Sequence, residues 1–466
     1  MPDPRPDHNA CRAAIADIKQ SLGAQVETGD ELCRQHAHTL TWIDGQPPDA
    51  VVFARSTEDV VGVVAIAARY RVPIIPFGAG TSLEGHVNAP YGGISLDLSR
   101  MDRVLRVDTG DLDCTVEAGV PRGKLNAYLR DTGLFFPVDP GTEEATIGGM
   151  AATRASGTTA VRYGTMRDNV IAVKAVMADG SIIDSASRAR KSSAGYDLTR
   201  LLVGSEGTLG IITEVTLRLH GMPEKVVAAI AAFPTLEAAC TTTMAAMALG
   251  LGLARIELLD PLVLRAVNAH AGLSLEEVPT LFIEFHGSEA AVSEQSETFE
   301  ELALSEGAIH VSSAADETER RKLWKARHDA LWAVREAWPG LRPLVTDVCV
   351  PVSRLAECVA ATQADIAACG LIAPIVGHVG DGNFHALVMH QPDDSAERRK
   401  IEAFSGRLAQ RAIAMDGTCT GEHGIGQGKM KYLQAELGAG VNIMARIKQA
   451  LDPHAIMNPG KIIYLP

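Results

Sequence analysis

Two histidines flank a tight-turn signal in the segment GHVGDGNFHALV. Asp381 and Gly382 between apolar residues predict a two-residue β-hairpin turn, which would pair His378 with His385 on one face of the hairpin. Directly opposed side chains have Cβ atoms roughly 5 Å apart, so the two imidazoles could together bind a metal ion. Asn383 would point to the same face and is a candidate catalytic residue. The alternative is that the two histidines merely lie beside a turn.

A second group of chemically capable residues lies in the glycine-rich segment GTCTGEHGIGQGK, which carries Glu422 and His423. A loop carboxylate could complete a His–His–Glu site and leave positions open for water or substrate. This ligand set suits zinc or manganese, with iron(II) as a third option, better than calcium or magnesium. His423 titrates near neutrality by default, which suits a general base. The competing interpretation is that Glu422 only caps the following helix.

Glycines also cluster directly after the apolar strand pattern VPIIPF, in the loop PFGAGTSLEGH. Gly78, Gly80 and Gly85 would let backbone N–H groups approach phosphate oxygens closely, although a glycine-rich turn can also be purely structural. A Rossmann dinucleotide loop does not fit, because the third glycine comes five residues after the second and Pro90 prevents a helix from starting there. NAD is therefore not expected.

Two further glycine-rich stretches, residues 137–170 and 203–219, occur in the same half of the chain. Together with the first loop they could line an extended ligand that has a pyrophosphate and a flat ring. The three stretches resemble the FAD-binding domain of the vanillyl-alcohol-oxidase flavoprotein superfamily. With the histidine and glutamate motifs included, the chain resembles the cytochrome-type D-lactate dehydrogenase and D-2-hydroxy-acid dehydrogenase branch over residues 50–466. Glycolate oxidase catalytic subunits and D-2-hydroxyglutarate dehydrogenases are relatives of that branch.

The resemblance implies non-covalent FAD, because members with covalent flavin carry a His or Cys in the pyrophosphate loop and GAGTSLEG has neither. The first loop would wrap the pyrophosphate, the second stretch would follow the isoalloxazine and ribityl chain, and the third would lie near the adenosine. The implied FAD contacts are Pro76, Phe77, Gly78, Ala79, Gly80, Thr81, Ser82, Gly85, Pro140, Gly141, Thr146, Gly148, Gly149, Ser156, Gly157, Tyr163, Gly164, Glu206, Ile211 and Asn458. Arg154 departs from the small or amide residue of many relatives, and its effect on the flavin stays open.

The same resemblance assigns His378, His385 and Glu422 as metal ligands and His423 as the catalytic base. Arg327, in LWKARHDALW, would bind the substrate carboxylate, a task for which a guanidinium is well suited. Arg342 is a second candidate for that contact. Two alternatives stay open: Arg327 could be one of several solvated charges on a helix, and the NPG sequence at Asn458 could only end a helix.

These residues need elements that hold them in place. Residues 58–70 predict a helix after a candidate N-cap at Thr57, and strands and helices alternate with Gly/Pro loops as far as Leu219. After a boundary near His220–Glu224 the pattern predicts an antiparallel α+β sandwich. The predicted fold is therefore α+β, with a two-part FAD-binding domain of the vanillyl-alcohol-oxidase type. The expected divisions are 1–222 for the FAD-binding domain, 223–416 for the substrate or cap domain with the metal-binding hairpin, and 417–466 for a segment returning to the FAD domain.

Composition excludes several classes of protein. A net charge of −14 and a pI of about 5.5 argue against a nucleic-acid binder. No apolar stretch approaches the roughly 20 residues of a membrane-spanning helix, and the N-terminal segment lacks the apolar core of a secretory signal. The eight cysteines contain no CxxC motif, which argues against an iron–sulfur or thiolate zinc site. We expect a cytoplasmic protein, with peripheral membrane association and a homodimer both left open.

The leading functional hypothesis is oxidation of a D-2-hydroxy acid, best D-lactate to pyruvate, with hydride transfer to FAD. Electrons would then pass to an external acceptor such as cytochrome c, a quinone or an electron-transfer flavoprotein. Glycolate and D-2-hydroxyglutarate are alternative substrates for the same site. Two other hypotheses are a flavin subunit that mainly serves as a scaffold in a glycolate oxidase complex, and a metallohydrolase without flavin.

Overall fold

The structure is a computed structural model that describes residues 7–464 of the chain. These residues form two compact units. The first unit contains the chain up to Ser156, the segment Gly164–Met222, and the chain from Glu422 onward. The second unit contains Gly157–Tyr163 and Pro223–Gly421. Across residues 7–464, no helix combines the length and the apolar character that crossing a bilayer requires.

The strands follow the order of the chain. They are β1 (Val26–Glu27), β2 (Ala50–Phe53), β3 (Ile74–Phe77), β4 (Ile94–Asp97), β5 (Val104–Asp108), β6 (Asp113–Glu117), β7 (Leu134–Phe135), β8 (Val170–Val176), β9 (Ile182–Asp184), β10 (Ile211–Arg218), β11 (His220–Gly221), β12 (Lys225–Ala232), β13 (Leu253–Leu259), β14 (Thr280–Gly287), β15 (His310–Ser313), β16 (Arg342–Val345), β17 (Val348–Cys349), β18 (Ile375–Gly377) and β19 (Asn383–His390).

The α-helices are numbered in the same way. They are α1 (His8–Leu22), α2 (Asp30–Gln35), α3 (Thr57–Tyr70), α4 (Arg122–Leu129), α5 (Ile147–Thr153), α6 (Ala160–Tyr163), α7 (Met166–Asn169), α8 (Leu198–Leu202), α9 (Leu236–Ala248), α10 (Pro261–Ala271), α11 (Glu289–Ser305), α12 (Glu317–His328), α13 (Ala330–Ala337), α14 (Leu355–Cys369), α15 (Ser395–Ala414), α16 (Leu433–Leu437) and α17 (Gly440–Leu451).

The first unit contains a four-stranded sheet in the order β1-β2-β4-β3, in which β2 and β3 run parallel to β4. Helix α3 supplies apolar side chains to the core beside this sheet, because Val60, Val63, Val64 and Ala67 recur at helical spacing and are all buried. Its N-cap is Ser56 rather than the expected Thr57, since the Ser56 hydroxyl accepts a hydrogen bond from the Asp59 N–H in the first turn. Strand β3 leads directly into the first glycine-rich loop.

The second sheet of this unit has five antiparallel strands in the order β5-β6-β10-β8-β9. Val116, Val173, Val215 and Leu217 lie in the apolar core on one side of it. The short helix α5 packs against the sheet after its N-cap residue Thr146, whose hydroxyl accepts from the Gly149 amide at 3.4 Å. The second glycine-rich stretch is thereby attached to a packed sheet.

The second unit is built on a sheet in the order β15-β12-β14-β13-β18-β19-β16, with β17 also paired to β19. All of its pairings are antiparallel. Val263, Phe282, Trp324 and Leu387 belong to an apolar core formed by strands of this sheet and helices α10, α12 and α13. The predicted antiparallel α+β arrangement is confirmed.

The two-residue turn predicted at Asp381 and Gly382 is wrong. Strands β18 and β19 pair with Val376 opposite His385, so His378 lies beyond the end of β18. A 3₁₀ turn over Val379–Asp381 and a left-handed Gly382, with φ of +78°, connect the strands. The connection is longer than the motif predicts, and His378, which lies outside the strand, contacts Glu257 of β13.

Candidate functional site

The first unit holds a cavity with about 1270 Å³ of empty space, which includes its opening to solvent. All three glycine-rich stretches contribute to its wall. The predicted FAD contacts found in the wall are Pro76, Phe77, Gly78, Ala79, Gly80, Thr81, Ser82, Pro140, Thr146, Gly148, Gly149, Ser156, Glu206, Ile211 and Asn458.

The glycines let the loops pack closely around the cavity. Gly80 adopts a left-handed φ of +65°, which suits glycine and turns the loop after β3. A Cβ on Gly148 would lie 2.5 Å from the Cβ of Ala118, so only glycine lets α5 approach this position.

The polar atoms of the wall fit a phosphate-containing ligand. The Ser82 hydroxyl oxygen is buried and has no hydrogen-bond partner within residues 7–464, although it lies in the cavity wall. Leaving a buried hydroxyl unpaired costs free energy, so an acceptor such as a phosphate oxygen would be favourable there. The residues present therefore fit FAD.

Five predicted FAD contacts lie elsewhere. Gly85, Gly141 and Gly164 are outside the cavity wall. Gly157 and Tyr163 belong to the second unit, where the Tyr163 hydroxyl lies 2.7 Å from Nδ1 of His286. Their contacts with FAD stay predictions.

Glu422 and His423 lie in the same cavity wall as the flavin loops. The sequence motif predicts a chemical role for both but does not indicate that they share a wall with the first glycine-rich loop. His86 also lines the cavity and is only 5% exposed. It follows Gly85 directly, so its position at the end of the loop PFGAGTSLEGH is the signal that could have identified it.

Two other expectations concern residues of the first unit. Asn458 adopts a left-handed φ of 38°, and its side-chain amide donates to the backbone oxygens of Glu206 at 2.7 Å and His86 at 3.3 Å. It lies seven residues after the end of α17, so the interpretation that NPG only ends a helix is wrong. Arg154 donates to the Val203 carbonyl at 3.1 Å and is absent from the cavity wall, so its guanidinium is engaged by backbone.

In the second unit, the rings of His378 and His385 have centroids 5.5 Å apart and are nearly perpendicular. Nδ1 of His385 donates to the Thr346 carbonyl at 2.9 Å, and Nδ1 of His378 lies 2.7 Å from the Glu257 carboxylate. A proton on each Nδ1 leaves the lone pair on Nε2, which is the tautomer a metal ligand needs. The pair therefore fits a divalent metal, although the turn that carries it differs from the predicted one.

Glu257 is a functional candidate that the sequence motifs do not include. It lies fully buried in β13 and accepts from Arg327 at 3.0 and 2.5 Å as well as contacting His378. Burial by itself raises the pKa of this carboxyl, but His378 and Arg327 outweigh burial and hold the pKa below its usual value. A lone carboxylate in the apolar strand LARIELL is the signal that could have identified it.

Arg327 is 8% exposed, so the interpretation as a solvated helix charge is wrong. Its guanidinium faces Glu257, and binding of a substrate carboxylate stays a prediction. Arg342, the second candidate, is exposed at the start of β16. Asn383 donates to Asp347 and to the Val348 carbonyl, both at 2.8 Å. These bonds fix Asn383 in β19, and its catalytic role also stays a prediction.

Comparison with known proteins agrees with these features. Residues 48–186 match a family described as FAD binding domain, and residues 222–462 match FAD linked oxidases, C-terminal domain. The chain is 49% identical over 461 residues to a probable mitochondrial D-lactate dehydrogenase of Danio rerio, covering 98% of this chain and 93% of the relative. It is 48% identical to the mitochondrial D-lactate dehydrogenase [cytochrome] of Arabidopsis thaliana, covering 89% of this chain and 73% of the relative.

The fold is also that of a solved structure with little sequence similarity. p-Cresol methylhydroxylase with substrate bound superposes with a TM-score of 0.83 at 16% identity, covering 98% of this chain and 97% of that one. Its fold is thus shared, while the curated relatives and the two matched domains define the family. The chain belongs to the FAD-linked oxidase family, within the D-lactate dehydrogenase flavoproteins that have the vanillyl-alcohol-oxidase fold.

Proposed function

We propose that this chain oxidises D-lactate to pyruvate, with a divalent metal ion in addition to FAD. The observation that carries the proposal is that Glu422 and His423 lie in the wall of the cavity formed by the flavin loops. A proton acceptor in a flavin cavity is what oxidation of an alcohol requires, because the hydroxyl proton needs a base while the C2 hydride goes to the flavin. The D-lactate dehydrogenase relatives support the choice of substrate.

His423 takes the hydroxyl proton of the substrate in this proposal. Bound FAD supplies the acceptor for the C2 hydride, and a divalent metal lowers the pKa of the substrate hydroxyl. The proposed metal ligands are His378, His385 and Glu422. Support for the two histidines comes from their Nδ1 contacts, which select the tautomer with Nε2 available for coordination.

Arg327 is the proposed partner of the substrate carboxylate. It is the charged residue of α12 with the least exposed side chain, and a buried guanidinium is a strong anion partner. Pairing with Glu257 holds its planar group in one orientation. Asn383 is retained as a further candidate contact.

The test is anaerobic reduction of the FAD-loaded enzyme by substrate. The reduction is measured as the loss of the yellow flavin absorbance. We expect D-lactate to bleach the flavin faster than L-lactate, glycolate or D-2-hydroxyglutarate. Chelation should abolish bleaching, and zinc or manganese should restore it. His378→Ala should behave like the chelated enzyme, whereas His310→Ala, a change at a half-exposed histidine of the same unit, should behave like the wild type.

Each part of the proposal can fail separately. Full bleaching by D-lactate in His378→Ala would remove the metal from the reaction. Faster bleaching by glycolate or D-2-hydroxyglutarate would reassign the substrate within the family. A wild-type rate in His423→Asn would remove the proposed base.

The electron acceptor we propose is a cytochrome, which is the acceptor named for the Arabidopsis relative. Both reported D-lactate dehydrogenase relatives are named mitochondrial, so the cytoplasmic location expected from the sequence stays a prediction. Assay of the reduced enzyme with cytochrome c, a quinone analogue and an electron-transfer flavoprotein would decide between the acceptor classes.

A further inference from the structure

The loop that follows His423 is attached to Glu206 by two backbone hydrogen bonds. Ile425 N–H donates to one carboxylate oxygen of Glu206 at 2.7 Å, and Gly426 N–H donates to the other at 2.8 Å. Glu206 is 6% exposed, so both bonds are shielded from water. A buried carboxylate that accepts hydrogen bonds from two backbone amides holds the loop by strong, charge-assisted bonds, and we call this contact the anchor.

Gly424 allows this anchor to come close to His423. It adopts a left-handed φ of +80°, and a Cβ there would lie 2.7 Å from Oε1 of Glu206 and 2.8 Å from Nε2 of His86. Only glycine therefore fits between His423 and the anchored amides. The spacing from the proposed base to the first anchored residue is two positions, which leaves the loop little freedom to shift.

The anchor is itself held in a buried polar network of the first unit. Nε2 of His86 lies 3.3 Å from Oε2 of Glu206. The Asn458 side chain donates to the Glu206 carbonyl, and Lys461 donates to Oδ1 of Asn458 at 3.3 Å. Burial by itself raises the pKa of Glu206, but His86 and the two loop amides outweigh it and hold the pKa below the usual value.

We infer that Glu206 is a positioning residue that sets the place of His423 in the cavity wall through the amides of Ile425 and Gly426. The inference rests on the proposed function of His423 as the base. Misplacing a reacting group by about 1 Å can lower a rate on the order of 100-fold, so a loop anchor has a large effect without touching the substrate. The role implied by family resemblance, a contact with the adenosine half of FAD, predicts a different result.

The experiment compares Glu206→Gln and Gly424→Ala with Glu214→Gln. Glutamine has one side-chain oxygen in place of two, so it can accept from only one of the two loop amides. The Cβ of alanine at position 424 would push the loop and the Glu206 carboxylate apart. Glu214 is a matched control, since it lies in β10 of the same unit and pairs with Lys174. For each FAD-loaded variant we would measure the limiting rate of anaerobic flavin reduction by D-lactate, the half-saturating D-lactate concentration and the Kd for FAD.

Glu206→Gln and Gly424→Ala should each reduce flavin about 100-fold more slowly at saturating D-lactate, with the FAD Kd changed less than about threefold. The double variant should be no slower than the slower single variant, because both substitutions break the same contact, the one between Glu206 and the loop amides. Amide hydrogen exchange in substrate-free enzyme should accelerate in a peptide covering residues 422–429. Glu214→Gln should match the wild type in all of these measurements.

A weakened FAD Kd with a normal reduction rate in the loaded enzyme would overturn the inference and favour the FAD contact. Multiplicative rate losses in the double variant would also overturn it. If Glu206→Gln does not fold, Gly424→Ala decides by the same criteria. His423→Asn separates the two levels: a wild-type rate there removes the proposed base itself, whereas a slow His423→Asn with fast Glu206→Gln and Gly424→Ala removes only the positioning role.

Discussion

At the scale of single residues, the carboxylate of Glu257 links two side chains with different proposed tasks. Both of its oxygens lie near Nδ1 of His378, at 2.7 and 3.0 Å, and one of them also accepts from Arg327. A carboxylate behind a metal-binding imidazole fixes the tautomer and the ring orientation, and it raises the basicity of the ligand nitrogen. The arginine meanwhile offsets the cost of burying the charge.

Glu257→Gln should therefore weaken metal binding. Loss of a carboxylate behind a histidine ligand typically lowers metal affinity about 10- to 100-fold, and we expect a loss in this range. The measurement is isothermal titration of the FAD-loaded, metal-free protein with zinc or manganese, without substrate. Glu284→Gln is the control, because Glu284 is equally buried in the second unit but bonds to His286 and Arg320. Equal affinities in the wild type and Glu257→Gln would contradict the prediction.

The closeness of the two histidines could be predicted from the sequence, whereas their hydrogen-bond partners could not. The turn motif between His378 and His385, which are seven residues apart, predicts from local geometry that the two side chains lie close together. Glu257 lies 121 positions before His378, and Glu206 lies 219 positions before Ile425. Periodicity and spacing carry no information over such distances, because only the tertiary fold brings these residues together.

At the scale of elements, the connection from β18 to β19 shows how tertiary contacts override a turn motif. The Asp-Gly pair occurs where the sequence indicates a turn, but a 3₁₀ turn replaces the two-residue hairpin loop. Gly382 packs directly on the carbonyl of Val350, so the turn is shaped by a neighbouring segment as well as by its own sequence. The proximity of the two imidazoles survives this change in register.

Gly382→Ala should destabilise the second unit more than Gly340→Ala does. Both glycines are left-handed, with φ of +78° and +86°, which costs an alanine about 1–2 kcal/mol. A Cβ on Gly382 would also clash with Val350, whereas a Cβ on Gly340 meets nothing within 4 Å. Overpacking adds about 1–3 kcal/mol. Thermal unfolding should show a Tm for Gly382→Ala lower by several degrees than that of Gly340→Ala.

Equal Tm values for the two alanine variants would show that the turn can move away from Val350 at little cost. The comparison also tests the proposed metal site, because a displaced turn moves His378. Metal affinity should therefore fall in Gly382→Ala and stay unchanged in Gly340→Ala. A Tm loss with unchanged metal affinity would confine the effect to stability.

At the scale of the whole molecule, the α+β class could be predicted from strand and helix patterns together with family resemblance. The order of the strands could not. The sheet β1-β2-β4-β3 places β4 between two strands that precede it in the chain. The segment Gly157–Tyr163 belongs to the second unit although it lies within the second glycine-rich stretch, and its composition gives no sign of that. Both features depend on contacts between distant parts of the chain.

The overall charge leads to a prediction about electron transfer. With a net charge of −14 at pH 7, the molecule should attract a basic cytochrome over a distance of about one Debye length, which is roughly 10 Å at 0.1 M salt. The second-order rate constant for reduction of cytochrome c by the D-lactate-reduced enzyme should therefore fall about tenfold or more between low and physiological ionic strength. An uncharged quinone analogue should show no such fall, since long-range steering acts only on charged partners.

Stopped-flow traces at several salt concentrations supply both rate constants. A salt-independent rate with cytochrome c would mean that charge does not guide its docking, and a parallel fall with the quinone would place the salt effect within the enzyme rather than in the encounter.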